Sequence, residues 1–248
     1  MKKLSNSLIK LDIDGCYYVS LSFITNLTNL QELHLSLRVT KHFGDFEGLQ
    51  YSILPQLQIL RITCAYPNDE LLIKFLENNG KNLKELYLSD RYFRPINNLL
   101  KLEIANLCPN LIKFSSKFKE NELETFKIIL SSCQYLESID IGCYNGYLSE
   151  KEALETLAKY SNKNINELIL NYYNPYNYYR LQSELLPEEL ESFFINWMNR
   201  TPQKPISLII GNSNDWNYKN YKNMKIIKKY IELGVIKKFK VYKSYITE

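Results

Sequence analysis

One six-residue pattern, L-x-x-L-x-L with apolar residues at positions 1, 4 and 6, recurs along most of the chain and limits what it can fold into. Clean copies are Leu8/Leu11/Ile13, Leu30/Leu33/Leu35, Leu57/Leu60/Ile62, Leu83/Leu86/Leu88, Leu136/Ile139/Ile141 and Ile165/Leu168/Leu170. Looser copies are Leu111/Phe114 with Ser116 at position 6, Leu208/Ile210 with Pro205 at position 1, and Ile236/Phe239/Val241. From one position 1 to the next the spacings are 22, 27, 26, 28, 25, 29, 40 and 31 residues. Self-similarity at such intervals is the signature of stacked units, none of which can bury its apolar face without its neighbour.

Between the copies the periodicity turns helical. Asn68 precedes a face made of Leu71, Leu72, Phe75 and Leu76, and Gly80 is placed to end that helix. Ser149 and Glu152 read as a capping box ahead of Leu154, Leu157 and Ala158, and Pro187 suits the first turn of a helix carrying Leu190, Phe193, Phe194, Trp197 and Met198. Each unit therefore reads as strand, turn and helix. An asparagine stands just ahead of position 1 in several copies (Asn29, Asn82, Asn110, Asn164). Parallel strands with positions 4 and 6 buried must turn positions 3, 5 and 7 to the other face. Strands about 4.8 Å apart backed by helices about 10 Å wide bend the stack with the strands inside. The expectation is an α/β solenoid, a horseshoe with parallel concave strands and convex helices, forming one domain of about nine repeats over residues 1–248.

Composition narrows the chemistry. With 45% apolar and 23% charged residues among 248, the chain is neither disordered nor a membrane bundle, and no apolar run approaches the length of a membrane span. Asn6, Lys10, Asp12 and Asp14 interrupt any apolar leader core, so a cytoplasmic or nuclear setting is expected. The five cysteines (Cys16, Cys64, Cys108, Cys133, Cys143) form no CxxC pair and have no histidine at metal-ligand spacing, which points to reduced thiols, no disulfide framework and no metal. Only His34 and His42 could serve a nucleophile as base, and no phosphate loop, HExxH or GxSxG occurs, so neither catalytic residues nor a cofactor are expected. Cys108 and Cys133 stand one repeat apart, as small packing residues would. Net charge is +4, but residues 219–248 hold nine lysines against Glu232 and Glu248. That end either attracts a polyanion or presents a solvated helix face and a lysine-protected edge strand.

Two groups of residues are candidates for partner binding. On the outward rows of the strands, position 5 runs Asp12, His34, Arg61, Tyr87, Ser115, Asp140, Ile169, Ile209, Lys240, and position 3 includes Glu32, Glu85 and Glu167. Glu32, His34, Arg61, Glu85, Tyr87, Asp140 and Glu167 make a mixed-charge surface that suits a protein or peptide better than nucleic acid, which favours one sign of charge. The second group is the run Tyr172, Tyr173, Tyr176, Tyr178, Tyr179 and Arg180, residue types that recur at binding hot spots. A loop whose rings pack back on neighbouring helices explains the same run.

The motif Cys108-Pro109-Asn110-Leu111 with Phe114, and its echo Cys133-Gln134-Tyr135-Leu136 with Ile139 and Ile141, resemble the cysteine-containing leucine-rich repeats of F-box proteins, a family abundant in fungi. The resemblance covers about residues 8–243. It implies a non-catalytic, substrate-recognising repeat region of a ubiquitin ligase adaptor, which meets a Skp-type adaptor through an F-box. No F-box is visible here, since the first strand pattern begins at Leu8. Leu186-Pro187-Glu188-Glu189-Leu190 is similar to the start of an F-box helix and equally suits a repeat helix. Position 9, asparagine or cysteine in that family, reads Cys16, Arg38, Ala65, Arg91, Lys119, Tyr144, Tyr173, Ser213 and Ser244. Nucleic-acid binding through the lysine-rich end, or a degenerate relative without a ligand, are the other readings.

Overall fold

The computed structural model describes residues 7–14, 21–36, 44–63, 67–88, 96–143, 146–172, 183–201, 204–211 and 221–242. The chain divides into two compact units, residues 1–115 with 132–135 and residues 116–131 with 136–248. The first contains β1 (Lys10–Asp14), β2 (Glu32–Ser36), α1 (Gly44–Glu47), β3 (Ile59–Thr63), α2 (Asp69–Asn79), β4 (Glu85–Leu88), α3 (Asn98–Leu107) and all but the last residue of β5 (Lys113–Ser116). The second contains α4 (Leu123–Ser132) up to its last residue, β6 (Ser138–Gly142), α5 (Glu150–Tyr160), β7 (Glu167–Asn171), α6 (Pro187–Met198), β8 (Ile206–Gly211), α7 (Tyr221–Glu232) and β9 (Ile236–Tyr242). Within each unit the strands pair in chain order and in parallel, β1 through β5 and β6 through β9.

The repeat pattern fixes the register. Leu33, Leu60, Leu86 and Phe114 stand side by side at position 4 in the first unit, as do Ile139, Leu168, Leu208 and Phe239 in the second. All of these except Phe239 are buried, as are Leu30, Leu57, Leu83, Leu111, Leu136 and Ile165 at position 1. The backbone repeats as faithfully. The carbonyl at position 2 (Ile9, Gln31, Gln58, Lys84) accepts from the N–H groups at positions 2 and 3 of the next strand, at 2.7–3.1 Å. The N–H at position 1 donates to the carbonyl three residues earlier (Leu30 to Leu27, Leu57 to Leu54, Leu83 to Gly80, Leu111 to Cys108) at 3.0–3.3 Å. β2, β3, β4 and β5 are thus entered through the same turn.

Two of the asparagines ahead of position 1 make the same contact. Asn82 Nδ2 donates to the Pro55 carbonyl at 3.1 Å, and Asn110 Nδ2 to the Lys81 carbonyl at 2.8 Å, each reaching back one repeat. At position 9 only Lys119 falls among the described residues. Asn79, buried at the end of α2, holds the preceding turn through Leu54 N–H (2.7 Å), the Ser52 carbonyl (2.9 Å) and its own helix at Phe75 (2.9 Å).

The helices begin where the caps place them. Asn68 Oδ1 accepts from Leu71 N–H at 2.9 Å, Ser149 Oγ accepts from Glu152 N–H at 3.2 Å, and Pro187 opens α6. Leu190, Phe193, Phe194 and Trp197 are buried while Met198 is exposed, and Phe194 stacks on Tyr230 of α7 with ring centroids 4.7 Å apart. Gly80 ends α2 as its C-cap, as the sequence places it, with a φ of −60° that carries the chain straight into a 3-10 turn, Gly80–Asn82. Glycine is needed there because a Cβ would lie 2.7 Å from the Leu107 carbonyl oxygen and 2.9 Å from Cys108 Sγ. At β8 Pro205 is exposed and Ile206 is the buried residue instead, paired with Ile236 of β9, after which Lys237 is an extra residue in the β9 partner strand. Leu11 and Ile13 of β1 are only half-buried, since no described strand lies on the far side of β1.

Candidate functional site

In the first unit the outward rows of the strands meet in register. Position 5 aligns Asp12, His34, Arg61, Tyr87 and Ser115, and position 3 aligns Lys10, Glu32, Ile59, Glu85 and Lys113. Five of the candidate residues, Glu32, His34, Arg61, Glu85 and Tyr87, therefore share one face although 55 positions separate the first from the last. Their charges are tied together. Lys10 Nζ lies 3.0 Å from Glu32, His34 Nδ1 lies 3.4 Å from Asp12, and Glu85 takes both Arg61 (3.1 Å) and Lys113 (2.8 Å). Partial burial pushes the Glu85 carboxyl up, but its two cations outweigh that, and its pKa falls below the ordinary carboxylate value. Arg61 and Tyr87 stay accessible, the side chain of the first 47% exposed and the second residue 39%. His34 Nε2 is buried and has no hydrogen-bond partner among the described residues.

In the second unit Asp140 and Glu167 also sit on the outward rows, Asp140 beside Ile169 and Glu167 beside Ser138, whose Oγ donates to Glu167 at 2.8 Å. The outward row is not open throughout, contrary to simple alternation. Ser207 and Ile209 are each 4% exposed. In register, Ser207 lies between Glu167 and Lys238, and Ile209 between Ile169 and Lys240. Neighbours about 4.8 Å away with longer side chains shield shorter ones on a sheet. Lys238 and Lys240 are exposed and form no ion pair among the described residues.

The tyrosine run changes its meaning at its first member. Tyr172 was expected in a partner-binding loop, but it is 3% exposed and its hydroxyl donates to the buried Glu150 carboxylate. The backbone alternation that ends β7 turns it inward against α5. Tyr173, Tyr176, Tyr178, Tyr179 and Arg180 lie outside the described residues. Glu150 also accepts from Ser183 Oγ (2.6 Å) and from Glu184 N–H (2.8 Å). Burial pushes its pKa up, and these donors pull part of the way back. Sequence reasoning missed this cluster because Glu150 looks like an ordinary first-turn acid of a capped helix.

The described cysteines are packing groups. Burial raises all three thiols, with Cys133 pushed up to about 12. Thiols so raised hold almost no thiolate at neutral pH. Cys133 Sγ donates weakly to the Cys108 carbonyl at 3.7 Å, one repeat back in the same turn. Cys16 and Cys64 lie outside the described residues. Among the described residues no three histidine, cysteine or acidic groups come together to hold a metal, and no helix is long and apolar enough to cross a membrane. In comparisons with known proteins the chain matches no family model and no curated sequence.

Proposed function

We propose that this chain is a non-catalytic interaction module, a leucine-rich-repeat solenoid whose partner docks on the outward face of its parallel strands. The observation that carries the reading is that face in the first unit. Parallel sheets are ordinarily covered on both sides, yet here one side bears aligned rows of polar and charged groups, with Arg61 and Tyr87 accessible at the middle. Arginine and tyrosine carry binding energy well, because each combines a large contact area with a polar end. The paired charges around them set register and orientation more than affinity. A protein or peptide partner fits such a mixed surface, in a cytoplasmic or nuclear setting.

The likeness of the cysteine-bearing turns to F-box repeats makes substrate recognition for a ubiquitin ligase the specific form of this proposal, with a Skp-type adaptor as second partner if an F-box is supplied elsewhere. Affinity capture with the full chain and with R61A/Y87A tests both levels. Both side chains are partly exposed and Arg61 pairs with Glu85, so the double variant should lose no more than about 1–2 kcal/mol of stability. It should also lose proteins that the parent retains. An unchanged captured set, or a large loss of stability, overturns the assignment of this face. A Skp-type adaptor among the captured proteins supports the ligase form, and its absence removes that form alone.

A further inference from the structure

We infer that the open edge of β9 is a second docking site, which takes an extended segment of a partner protein with alternating acidic and apolar residues. Among the described residues no strand lies beyond β9, so one side of its backbone is unpaired in the sheet. At seven residues it is the longest of the described strands, and from Lys238 to Tyr242 its side chains alternate between exposed and half-buried. Lys238, Lys240 and Tyr242 are exposed on the outward face, and Phe239 and Val241 are half-buried on the face turned to the core. An added strand would therefore meet cations on one side and incompletely covered apolar groups on the other. Acidic residues at alternate positions would stand opposite Lys238 and Lys240, and the intervening apolar residues would complete the burial of Phe239 and Val241.

The two edge strands of the chain are not equivalent in this respect. β1 carries Lys10 and Asp12 on its outward face, but Lys10 is engaged by Glu32 at 3.0 Å and Asp12 by His34 at 3.4 Å. At β9 the matching lysines have no ionic partner among the described residues. Lysines on an edge repel a second copy of the same edge, so a partner of opposite charge is favoured over self-pairing. The site is separate from the Arg61 and Tyr87 face and stands whether or not that face binds anything.

The test is fluorescence anisotropy with the full chain and two short labelled peptides, one alternating glutamate with valine and the other lysine with valine. The parent should bind the first and not the second. K238E/K240E should weaken the first by about tenfold or more and gain affinity for the second. R61A/Y87A should leave both unchanged. Absence of binding to the glutamate peptide, or an affinity that K238E/K240E does not alter, overturns the inference. So does concentration-dependent dimerisation that K238E/K240E abolishes, since the occupant would then be a second copy.

Discussion

At the scale of single residues, the polar groups that matter most to the fold are buried ones that close turns. Glu150 is the clearest. One carboxylate receives Tyr172, at the end of β7, and Ser183 and Glu184, at the approach to α6, so it fixes where the chain leaves and returns. Its pKa is raised, which means the folded state holds the proton more tightly than the unfolded state. The associated stability is fully present below the ordinary carboxyl value of 4.5 and is lost as pH rises through the folded value. E150Q cannot titrate there. Urea unfolding of the parent should therefore weaken from mildly acidic to neutral pH relative to E150Q, whatever the offset between the two at a single pH. Parallel pH profiles for the two proteins would show that the carboxylate is ionised throughout. None of this was legible in the sequence, where Glu150 belongs to a capping box and Tyr172 to a run of tyrosines. Asn79 was hidden for the same reason: a helix-ending Asn-Gly pair says nothing of a buried amide that holds the turn one repeat earlier.

At the scale of elements, strands were readable and turns were not. The apolar triplets specify inside and outside by strict alternation, and a slip of one residue would reverse both faces. Aligning the copies therefore gave the same neighbours that the sheet pairs, including Asp12 with His34, Arg61 and Tyr87. The ion pairs across that face follow from side-chain reach, which spacing does not encode. Where a copy was poor the reading missed the buried residue by one, as at Pro205 and Ile206, and it missed the extra residue Lys237 in β9, since an averaged pattern carries no trace of a single irregularity. The turn before each strand shows the limit well. Leu27, Leu54, Gly80, Cys108 and Cys133 occupy one equivalent slot, three residues before position 1. Its glycine is set by the size of the neighbour in that slot rather than by backbone handedness. With φ at −60°, Gly80→Ala should gain up to about 1 kcal/mol from reduced unfolded-state freedom. The contacts with Leu107 and Cys108 oppose that gain by about 1–3 kcal/mol. The expected outcome is net destabilisation in urea melts, partly recovered by adding Cys108→Ala, which removes the sulfur but not the carbonyl oxygen. Net stabilisation would show that the turn opens freely.

At the scale of the whole molecule, each strand within a unit pairs only with its neighbours in chain order, so stabilising contacts are local to a few repeats. The charge distribution is local as well. The described lysines of the C-terminal stretch divide between the exposed positions of α7 (Lys222, Lys225, Lys228) and β9, and Lys229 pairs with Glu191 at 2.5 Å. Lysines split between a helix and a strand, and partly neutralised, make a poorer polyanion footprint than their number suggests, which supports the proposed protein partner rather than nucleic acid. Local stabilisation has a consequence for unfolding. In a stack of repeats the free energy is close to a sum of intrinsic and nearest-neighbour terms, so damage to one repeat spreads only as far as its interfaces carry it. Leu60 is fully buried between Leu33 and Leu86 in the first unit. Leu60→Ala should cost about 2–5 kcal/mol locally. Native-state hydrogen exchange should show the loss of protection concentrated in β2, β3 and β4, with β7 and β8 close to the parent. A uniform drop across all strands would mean that the chain unfolds as one cooperative body, and the nearest-neighbour account of its stability would have to be abandoned.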